Sequence, residues 1–206
     1  MGDESQLTEQ GRQAISQADY VFGAKRLEKL AGGKEFYPYY SAKDIIPCLE
    51  KLAELESNYG RRIRAAILFS GDSGFYSGCE AVYQDLMQWR MTRSADQGVQ
   101  VRILPGISSV SCLAAATGHS WEDAGIISVH GKGGYENWQS VLLDAVQKNR
   151  KTFVLTSGLQ DMRKIGELLE EWEKRQFGLS QVRVYTGYRL SSGQARKACS
   201  HKERFL

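Results

Sequence analysis

The fold class is decided by one stretch of the sequence, Ala65-Ala66-Ile67-Leu68-Phe69-Ser70-Gly71-Asp72-Ser73-Gly74-Phe75-Tyr76. Its first part is a short apolar run that no polar residue interrupts. Such a run is typical of a strand buried on both faces, in the middle of a parallel sheet. Ligands of open α/β sheets bind at the carboxyl ends of the strands. The turn that follows the run is therefore the first candidate for a binding site.

The composition of this turn suits close contact with a ligand. Gly71 and Gly74 have no Cβ, so the backbone can take positive φ there and a ligand can approach the peptide planes. Asp72 and Ser73 add polar groups. A tight connection that binds nothing explains the same residues equally well. The glycine patterns of phosphate-binding and dinucleotide-binding loops are absent from the turn.

A second turn of this kind follows the next predicted strand, over residues 99–104. Pro105 cannot extend a ladder and Gly106 relaxes the backbone. Ser108 or Ser109 can cap the helix predicted over residues 110–117. Their hydroxyls either face a ligand or serve only as caps.

Strands and helices alternate along the rest of the chain, which predicts an α/β fold. Further strands are predicted over residues 19–23, 125–130, 152–156 and 182–185, and helices over 7–18, 42–58, 81–91, 137–147 and 159–172. Strands end repeatedly in turns that contain glycine, at Gly71, Gly106, Gly131, Gly158 and Gly187. If these turns converge, they form one cleft for a small molecule between two α/β lobes, residues 1–106 and 107–206.

The first elements come in an unusual order. A helix over residues 7–18 precedes the first strand, whereas an α/β domain normally starts with a strand that leads into its first helix. We therefore expect that a strand is missing in front of Met1. Residues 24–30 have helical spacing, and Pro47 predicts that the regular part of the helix over 42–58 begins there.

Composition excludes several classes of protein. Among 206 residues, 42% are hydrophobic and 25% charged, as in an ordinary globular protein. No apolar stretch approaches the roughly 20 residues that span a bilayer, and the acidic start is unlike a signal peptide, so we expect a cytoplasmic protein. A net charge of +3 is too small to indicate nucleic acid. The four cysteines are widely spaced, which predicts free thiols and no metal site.

Four phrases, in this order and spacing, resemble the tetrapyrrole methylases. They are Ser-Gly-Asp-Ser-Gly-Phe-Tyr-Ser at 70–77, Leu-Pro-Gly-Ile-Ser-Ser-Val at 104–110, Ser-Val-His-Gly-Lys at 128–132 and Leu-Thr-Ser-Gly-Leu at 155–159. Within the family, the phrase at 18–27 is most similar to the precorrin C5-methylases of cobalamin synthesis. The resemblance covers nearly the whole chain.

This resemblance implies an enzyme that binds S-adenosylmethionine between two α/β domains and methylates a ring-bridging carbon of a corrin precursor, usually as a homodimer. The implied cofactor contacts are Gly71, Asp72, Phe75, Ser108, Ser109, Ser157 and Gly187. Methyl transfer from a sulfonium needs alignment more than acid catalysis, so no catalytic triad is expected. His130, at a predicted strand end, is the candidate base for a proton lost after transfer, and a structural role fits it as well.

Cations near the same strand ends are candidates for the carboxylates of a tetrapyrrole. Lys25, Arg26 and Lys132 are these candidates, and each is equally explained as a solvated surface charge.

Two departures from the family pattern leave other functions open. The family's first strand and its Gly-x-Gly-Pro-Gly turn have at most Met1-Gly2-Asp3 as a counterpart, and residues 193–206 lack the expected pattern. The alternatives are a methylase of the same fold for another tetrapyrrole or for RNA, and a noncatalytic module that binds a nucleotide or a tetrapyrrole. RNA would require a clearer basic patch and stacking aromatic residues.

Overall fold

A computed structural model describes residues 4–57, 59–60, 62–93, 98–129, 137–175, 182–188, 190 and 196–200. The chain divides into two compact units that part between Ser109 and Val110. The assignment of residues 1–106 and 107–206 to two domains stays a prediction. In the described part of the chain, no helix is both long and apolar enough to cross a bilayer.

The first unit contains a parallel sheet of three strands. These are β1 (Tyr20–Gly23), β2 (Glu35–Tyr37) and β3 (Ala65–Leu68), in the spatial order β2-β1-β3. Val21 lies beside Phe36 on one side and beside Ala66 on the other. The parallel sheet confirms the α/β class.

The prediction that residues 65–68 form the central strand is wrong. Among the described strands β1 is central, and its Val21 and Phe22 are fully buried. In β3, Ala65 is exposed and the next three residues are only half-buried. An unbroken apolar run shows that both faces are covered, but not how many strands flank it.

Helices cover both faces of this sheet, because successive strand residues point to opposite sides. Phe22 packs with Ile45, Leu49 and Leu52 of α2 (Ala42–Ser57) and with α3 (Cys79–Met91). Val21 packs on the other face, against Ile15 of α1 (Glu9–Gln17). The helix α1 begins at the N-cap Thr8, whose hydroxyl accepts a hydrogen bond from the amide of Gly11 at 3.1 Å.

Two helix predictions need correction. The helix α2 begins at Ala42 and passes through Pro47, although Pro47 cannot donate its backbone hydrogen bond. The buried positions Ile45, Leu49 and Leu52 favour the helix on both sides of the proline. Residues Lys25–Ala31 form a 3₁₀ helix that ends at Gly32, which has a φ of 60°.

The strand predicted over residues 99–104 is also wrong, since no part of it pairs as a strand with any described residue. A cavity of about 1500 Å³ lies beside it. We call this the β3 cavity, because it is lined by β3 and by residues 98–107. A strand needs a neighbour to pair with, and none of the described strands pairs with residues 99–104.

The second unit holds two small sheets and three helices with described bounds. The strands β4 (Gly125–Ser128) and β5 (Thr152–Leu155) are parallel, and β6 (Val184–Tyr188) and β7 (Arg196–Ser200) are antiparallel. The helices are α4 (Ser109–Thr117), α5 (Trp138–Lys148) and α6 (Leu159–Arg175). The core contains Ile127, Leu142, Ile165 and Leu169. Strand β7 was not predicted.

Helices α2 and α3 are joined by a polar clamp at the surface. The indole N–H of Trp89 donates to Glu50 at 2.9 Å, and a guanidinium N–H of Arg93 donates to the same carboxylate oxygen at 2.7 Å. The Arg93 guanidinium also lies 4.7 Å from the centre of the Trp89 ring. The bond from Trp89, and then that from Arg93, holds the pKa of Glu50 below its ordinary value.

We predict that Glu50→Gln lowers the free energy of unfolding at pH 7 by about 0.5–1 kcal/mol, as for other partly exposed pairs. Because the folded pKa is depressed, the charge stabilises the fold above the unfolded pKa of about 4.3, and this stabilisation is lost as pH falls through the folded value. Urea titrations at pH 7 and pH 3 should show the difference between wild type and variant shrinking at pH 3. The exposed partner of Lys148 provides the control Asp144→Asn, which should show a smaller effect. An equal deficit at both pH values would contradict the prediction.

Candidate functional site

The loop after β3 is a tight, backbone-rich turn. Gly71 has a φ of 86°, a conformation that favours glycine. The carboxylate of Asp72 accepts a hydrogen bond from the amide of Gly74 at 2.7 Å, and the carbonyl of Asp72 accepts one from the amide of Phe75 at 3.3 Å. These bonds fold residues 72–75 into an Asx-type turn and occupy one carboxylate oxygen of Asp72.

The structure brings the two turns singled out in the first unit into direct contact. A Cβ added to Gly106 would lie 2.1 Å from the carbonyl oxygen of Gly71, so only glycine fits at this crossing. The hydroxyl of Ser73 donates to the carbonyl of Leu104 at 3.1 Å. Residues 71–74 and 104–106 therefore form one cradle built mainly from main chain.

Two further features border this cradle. Ser108 precedes α4 and Ser109 is its first residue, and both are half-buried. The hydroxyl of Thr8 lies 3.5 Å from the carbonyl of Pro105, a long hydrogen bond that links the start of α1 to the second turn. Sequence reasoning did not single out Thr8 as a neighbour of the turn, since 97 residues separate it from Pro105.

Of the cations predicted to contact the substrate, Lys25 and Arg26 are described by the structure, and their surroundings differ. Arg26 donates to the hydroxyl of Ser70 at 3.0 Å, so its guanidinium lies beside the loop after β3. The ammonium of Lys25 pairs with Glu28 at 2.8 Å on the 3₁₀ helix, and the Lys25 side chain is mostly exposed. The structure places Arg26 near the cradle and gives Lys25 a surface partner.

Tyr76 has a conformation that the sequence did not indicate. Its φ is 47°, which is unusual for a bulky residue, and half of it (52%) is exposed. Its ring lies edge-on to Phe75, with centroids 5.1 Å apart. Strained residues often mark functional sites. In the sequence, the indication of an unusual backbone conformation at Tyr76 is its place between Gly74 and Gly78.

The predicted site residues of the second unit have structural roles of their own. Both the amide and the hydroxyl of Ser157 donate to the carboxylate of Asp161, at 2.7 and 2.5 Å, and so tie the turn after β5 to the first turn of helix α6. A Cβ on Gly187 would lie 2.6 Å from the side chain of Leu190, so packing also favours glycine there. His130 and Lys132 lie outside the described residues.

Two groups of the first unit, Tyr37 and Cys79, are held in their protonated, neutral forms. The phenol of Tyr37, at the end of β2, donates a hydrogen bond to Glu35 at 2.5 Å, and this bond raises the pKa of Tyr37. Burial raises the pKa of the Cys79 thiol at the start of α3. Residues 1–109 contain no histidine. Among the described residues, no three His, Cys, Asp or Glu side chains are grouped to hold a metal ion.

The cradle presents mainly main-chain groups at the crossing of the two turns. Glycine and serine at a crossing of two turns let a ligand approach peptide N–H and C=O groups closely. Such a site orients reactants, which is the contribution that an in-line displacement requires.

The chain is similar to proteins of a known family. Residues 1–197 match the family model of the tetrapyrrole (corrin/porphyrin) methylases. The chain is 31% identical over 160 residues to the probable cobalt-precorrin-7 C(5)-methyltransferase of Methanocaldococcus jannaschii, covering 78% of this chain and 69% of that protein. It is 25% identical over 123 residues to the cobalt-factor III methyltransferase of Priestia megaterium, covering 57% of this chain and 21% of that protein.

Solved structures show the same fold. The structure of the methyltransferase CobJ matches with a TM-score of 0.69 at 18% identity, and the match covers 97% of this chain and 82% of the CobJ chain. The structure of the cobalt precorrin-4 methyltransferase CbiF matches with a TM-score of 0.68 at 16% identity, and the match covers 97% of this chain and 81% of the CbiF chain. The predicted fold type is thus confirmed, while the placement of the cofactor between two lobes stays a prediction. By the match of its sequence and its fold, the chain belongs to the tetrapyrrole (corrin/porphyrin) methylase family.

Proposed function

We propose that this protein is an S-adenosylmethionine-dependent C-methyltransferase of cobalamin biosynthesis that acts on C5 of cobalt-precorrin-7. The observation that carries the proposal is the cradle in which Gly106 crosses Gly71, because it joins two of the four family phrases into one site. The identity of 31% to the Methanocaldococcus jannaschii protein supports the choice of substrate.

The reaction is an in-line displacement at the methyl carbon. The S–CH₃ bond breaks with its electron pair staying on sulfur, a new C–C bond forms to an electron-rich ring carbon, and neutral S-adenosylhomocysteine leaves. Because the leaving group is neutral and the carbon is already nucleophilic, alignment supplies most of the rate, and effective molarities can reach about 10⁵ M or more. A proton then leaves the substrate, and His130 is the proposed base.

The proposed cofactor contacts in the first unit are Gly71, Asp72, Phe75, Ser108 and Ser109. The bonds within residues 72–75 fix the shape of the turn before a ligand binds, which reduces the entropy lost on binding. Ser157 and Gly187 are the proposed contacts in the second unit. Since the amide and the hydroxyl of Ser157 both donate to Asp161, a contact there would use an acceptor, either the hydroxyl oxygen or the carbonyl group.

A substrate rich in carboxylates suits the cations beside the cradle. Arg26 is the strongest candidate, because its bond to Ser70 places the guanidinium at the loop while leaving further N–H donors for a carboxylate. Lys25 and Lys132 are proposed as additional partners. The family resemblance also supports a homodimer that works in the cytoplasm on a small tetrapyrrole, not on nucleic acid or at a membrane.

Turnover with methyl-labelled S-adenosylmethionine and a panel of precorrins, with and without cobalt, tests this function. We expect label transfer to cobalt-precorrin-7, with the new methyl group at C5 by NMR. Transfer to another tetrapyrrole alone would make this a methylase of a different substrate. Cofactor binding without transfer to any member of the panel would favour a noncatalytic binding module.

We predict that Gly106→Ala weakens binding of S-adenosylhomocysteine by at least about tenfold, or about 1.4 kcal/mol. The added methyl group meets the main chain of Gly71, which cannot yield as a flexible side chain does, so the two turns must separate. Calorimetry at a temperature where circular dichroism shows the variant folded provides the measurement.

Gly78→Ala is the matched control in the same loop. Its added Cβ would lie 3.8 Å from the ring of Phe69, an ordinary van der Waals distance, and its φ of −69° suits alanine. We expect the Gly78→Ala variant to bind S-adenosylhomocysteine with unchanged affinity.

The variant Asp72→Arg fills the turn with a large side chain, and we expect it to abolish binding of S-adenosylhomocysteine. Unchanged affinity in both Gly106→Ala and Asp72→Arg would remove this cradle from the cofactor site.

We further predict that Tyr76 contacts the flat tetrapyrrole, so that Tyr76→Gly raises KM for the tetrapyrrole about threefold to tenfold through loss of ring stacking. Glycine adopts the φ of 47° without strain, which should keep Tm unchanged or raise it. Steady-state kinetics and thermal unfolding measure the two effects. Asp123→Gly is the control, since Asp123 also has positive φ (53°) but lies in a turn before β4. An unchanged KM in Tyr76→Gly would show that Tyr76 does not contact the substrate.

A further inference from the structure

We propose that Ser70 is a positioning residue, which holds the guanidinium of Arg26 in place to bind a carboxylate of the substrate. The inference rests on the proposed function, because the carboxylates are those of the tetrapyrrole, and it adds a residue and a binding geometry to that function. It is carried by the hydrogen bond from Arg26 to the hydroxyl of Ser70 and by the fixed main chain on both sides of this bond.

The main chain beside Arg26 is fixed by the sheet and by the core. Arg26 follows β1 and Ser70 follows β3, and these neighbouring strands pair up to Gly23 and Leu68. A Cβ added to Gly23 would lie 3.1 Å from the Cβ and from the carbonyl oxygen of Leu68, so the two strand ends are tightly packed. Leu27, the residue after Arg26, is fully buried. The backbone therefore holds the base of the Arg26 side chain at a defined place.

The main chain beside Ser70 is fixed by the cradle. Ser70 directly precedes Gly71, whose carbonyl lies so close to Gly106 that only glycine fits at the crossing. Ser70 is half-buried, whereas Arg26 is exposed. A long exposed side chain samples many rotamers, and binding a ligand then costs the entropy of ordering it. The bond to Ser70 orders the guanidinium before the ligand arrives.

The guanidinium keeps a complete binding edge for a carboxylate after it has bonded to Ser70. The Nη2 atom of an arginine contributes an N–H to each of the two edges that present paired donors. The hydroxyl of Ser70 accepts from Nη2 of Arg26 at 3.0 Å and engages one of these N–H groups, so the other edge stays whole. Two parallel N–H···O bonds from that edge match the two oxygens of a carboxylate.

The charge of Arg26 is available to a ligand. Within the part of the chain that the structure describes, no carboxylate forms an ion pair with Arg26, whereas the neighbouring Lys25 pairs with Glu28 at 2.8 Å. A neutral hydroxyl orients the guanidinium without neutralising it. Lysine cannot replace Arg26 here, because an ammonium is a point charge and has no planar pair of donors. The arrangement therefore favours a carboxylate over an uncharged amide of similar shape.

Binding of corrins to the full chain tests the proposal without requiring methyl transfer. The probes are cobyrinic acid, whose side chains end in carboxylates, and cobinamide, in which amides replace them, each measured by equilibrium dialysis with S-adenosylhomocysteine present. We expect Ser70→Ala to weaken binding of cobyrinic acid about threefold to tenfold, because Arg26 is then ordered only on binding. Its affinity for cobinamide should not change. Ser70→Thr, which keeps the hydroxyl, should restore the wild-type affinity for cobyrinic acid.

A double-mutant cycle shows whether Ser70 acts through Arg26. We expect Arg26→Gln to weaken binding of cobyrinic acid by about tenfold or more, and Arg26→Lys to restore it only in part. Adding Ser70→Ala to Arg26→Gln should have no further effect. The matched control is Ser77→Ala, which removes another serine hydroxyl of the same loop, one that accepts from the amide of Cys79 at 3.2 Å. This control should bind both corrins as the wild type does.

Three results would overturn the proposal. They are equal losses of affinity for both corrins in Ser70→Ala, additive effects of Ser70→Ala and Arg26→Gln, and a wild type that does not prefer cobyrinic acid to cobinamide. If circular dichroism shows that Ser70→Ala does not fold, NMR of the Arg26 guanidinium in the wild type decides instead. Rotation of that group as fast as in free arginine would refute the role of Ser70.

Failure of this inference is distinct from failure of the proposed function. Methyl transfer to cobalt-precorrin-7 with the same KM in the wild type and in Ser70→Ala would refute the inference alone. A preference for cobyrinic acid that depends on Ser70, without methyl transfer to any tetrapyrrole, would refute the proposed function alone.

Discussion

The contact between Gly106 and the carbonyl of Gly71 is the constraint on which the candidate site depends. At this crossing two main-chain segments, about 35 residues apart, come closer than any side chain would allow. The hydrogen bond from Ser73 to Leu104 holds the same two segments together. The close approach of the main chain and the side-chain bonds of Asp72 and Ser73 together fix the shape of the cradle.

Sequence reasoning could predict the features that depend on local chemistry. The glycine at position 71 predicted an unusual φ, and the small residues of both turns predicted close approach of backbone. The helices followed from apolar spacing, with errors confined to Pro47 and to the 3₁₀ segment after β1. In both places tertiary packing outweighed local preference.

The errors concern features that depend on distant partners. Whether residues 65–68 are central, and whether 99–104 pair at all, is decided by what lies beside them and not by their own composition. The same holds for the site. The spacing of residues in the sequence does not encode the hydrogen bond from Ser157 to Asp161 or the one from Arg26 to Ser70. It does not encode the positive φ of Tyr76 either.

The half-exposed edge of β3 has a consequence for how this protein behaves in concentrated solution. Unpaired N–H and C=O groups on an apolar strand are a template onto which strands of other molecules can be added. Among the described residues, the edge of β3 borders the β3 cavity, which helices α1, α2 and α3 line on two sides. During synthesis, before the helices pack on the sheet, the same edge is open to neighbouring nascent chains. The yield of folded protein in a cell should therefore depend on how quickly the helices pack and on chaperone capacity.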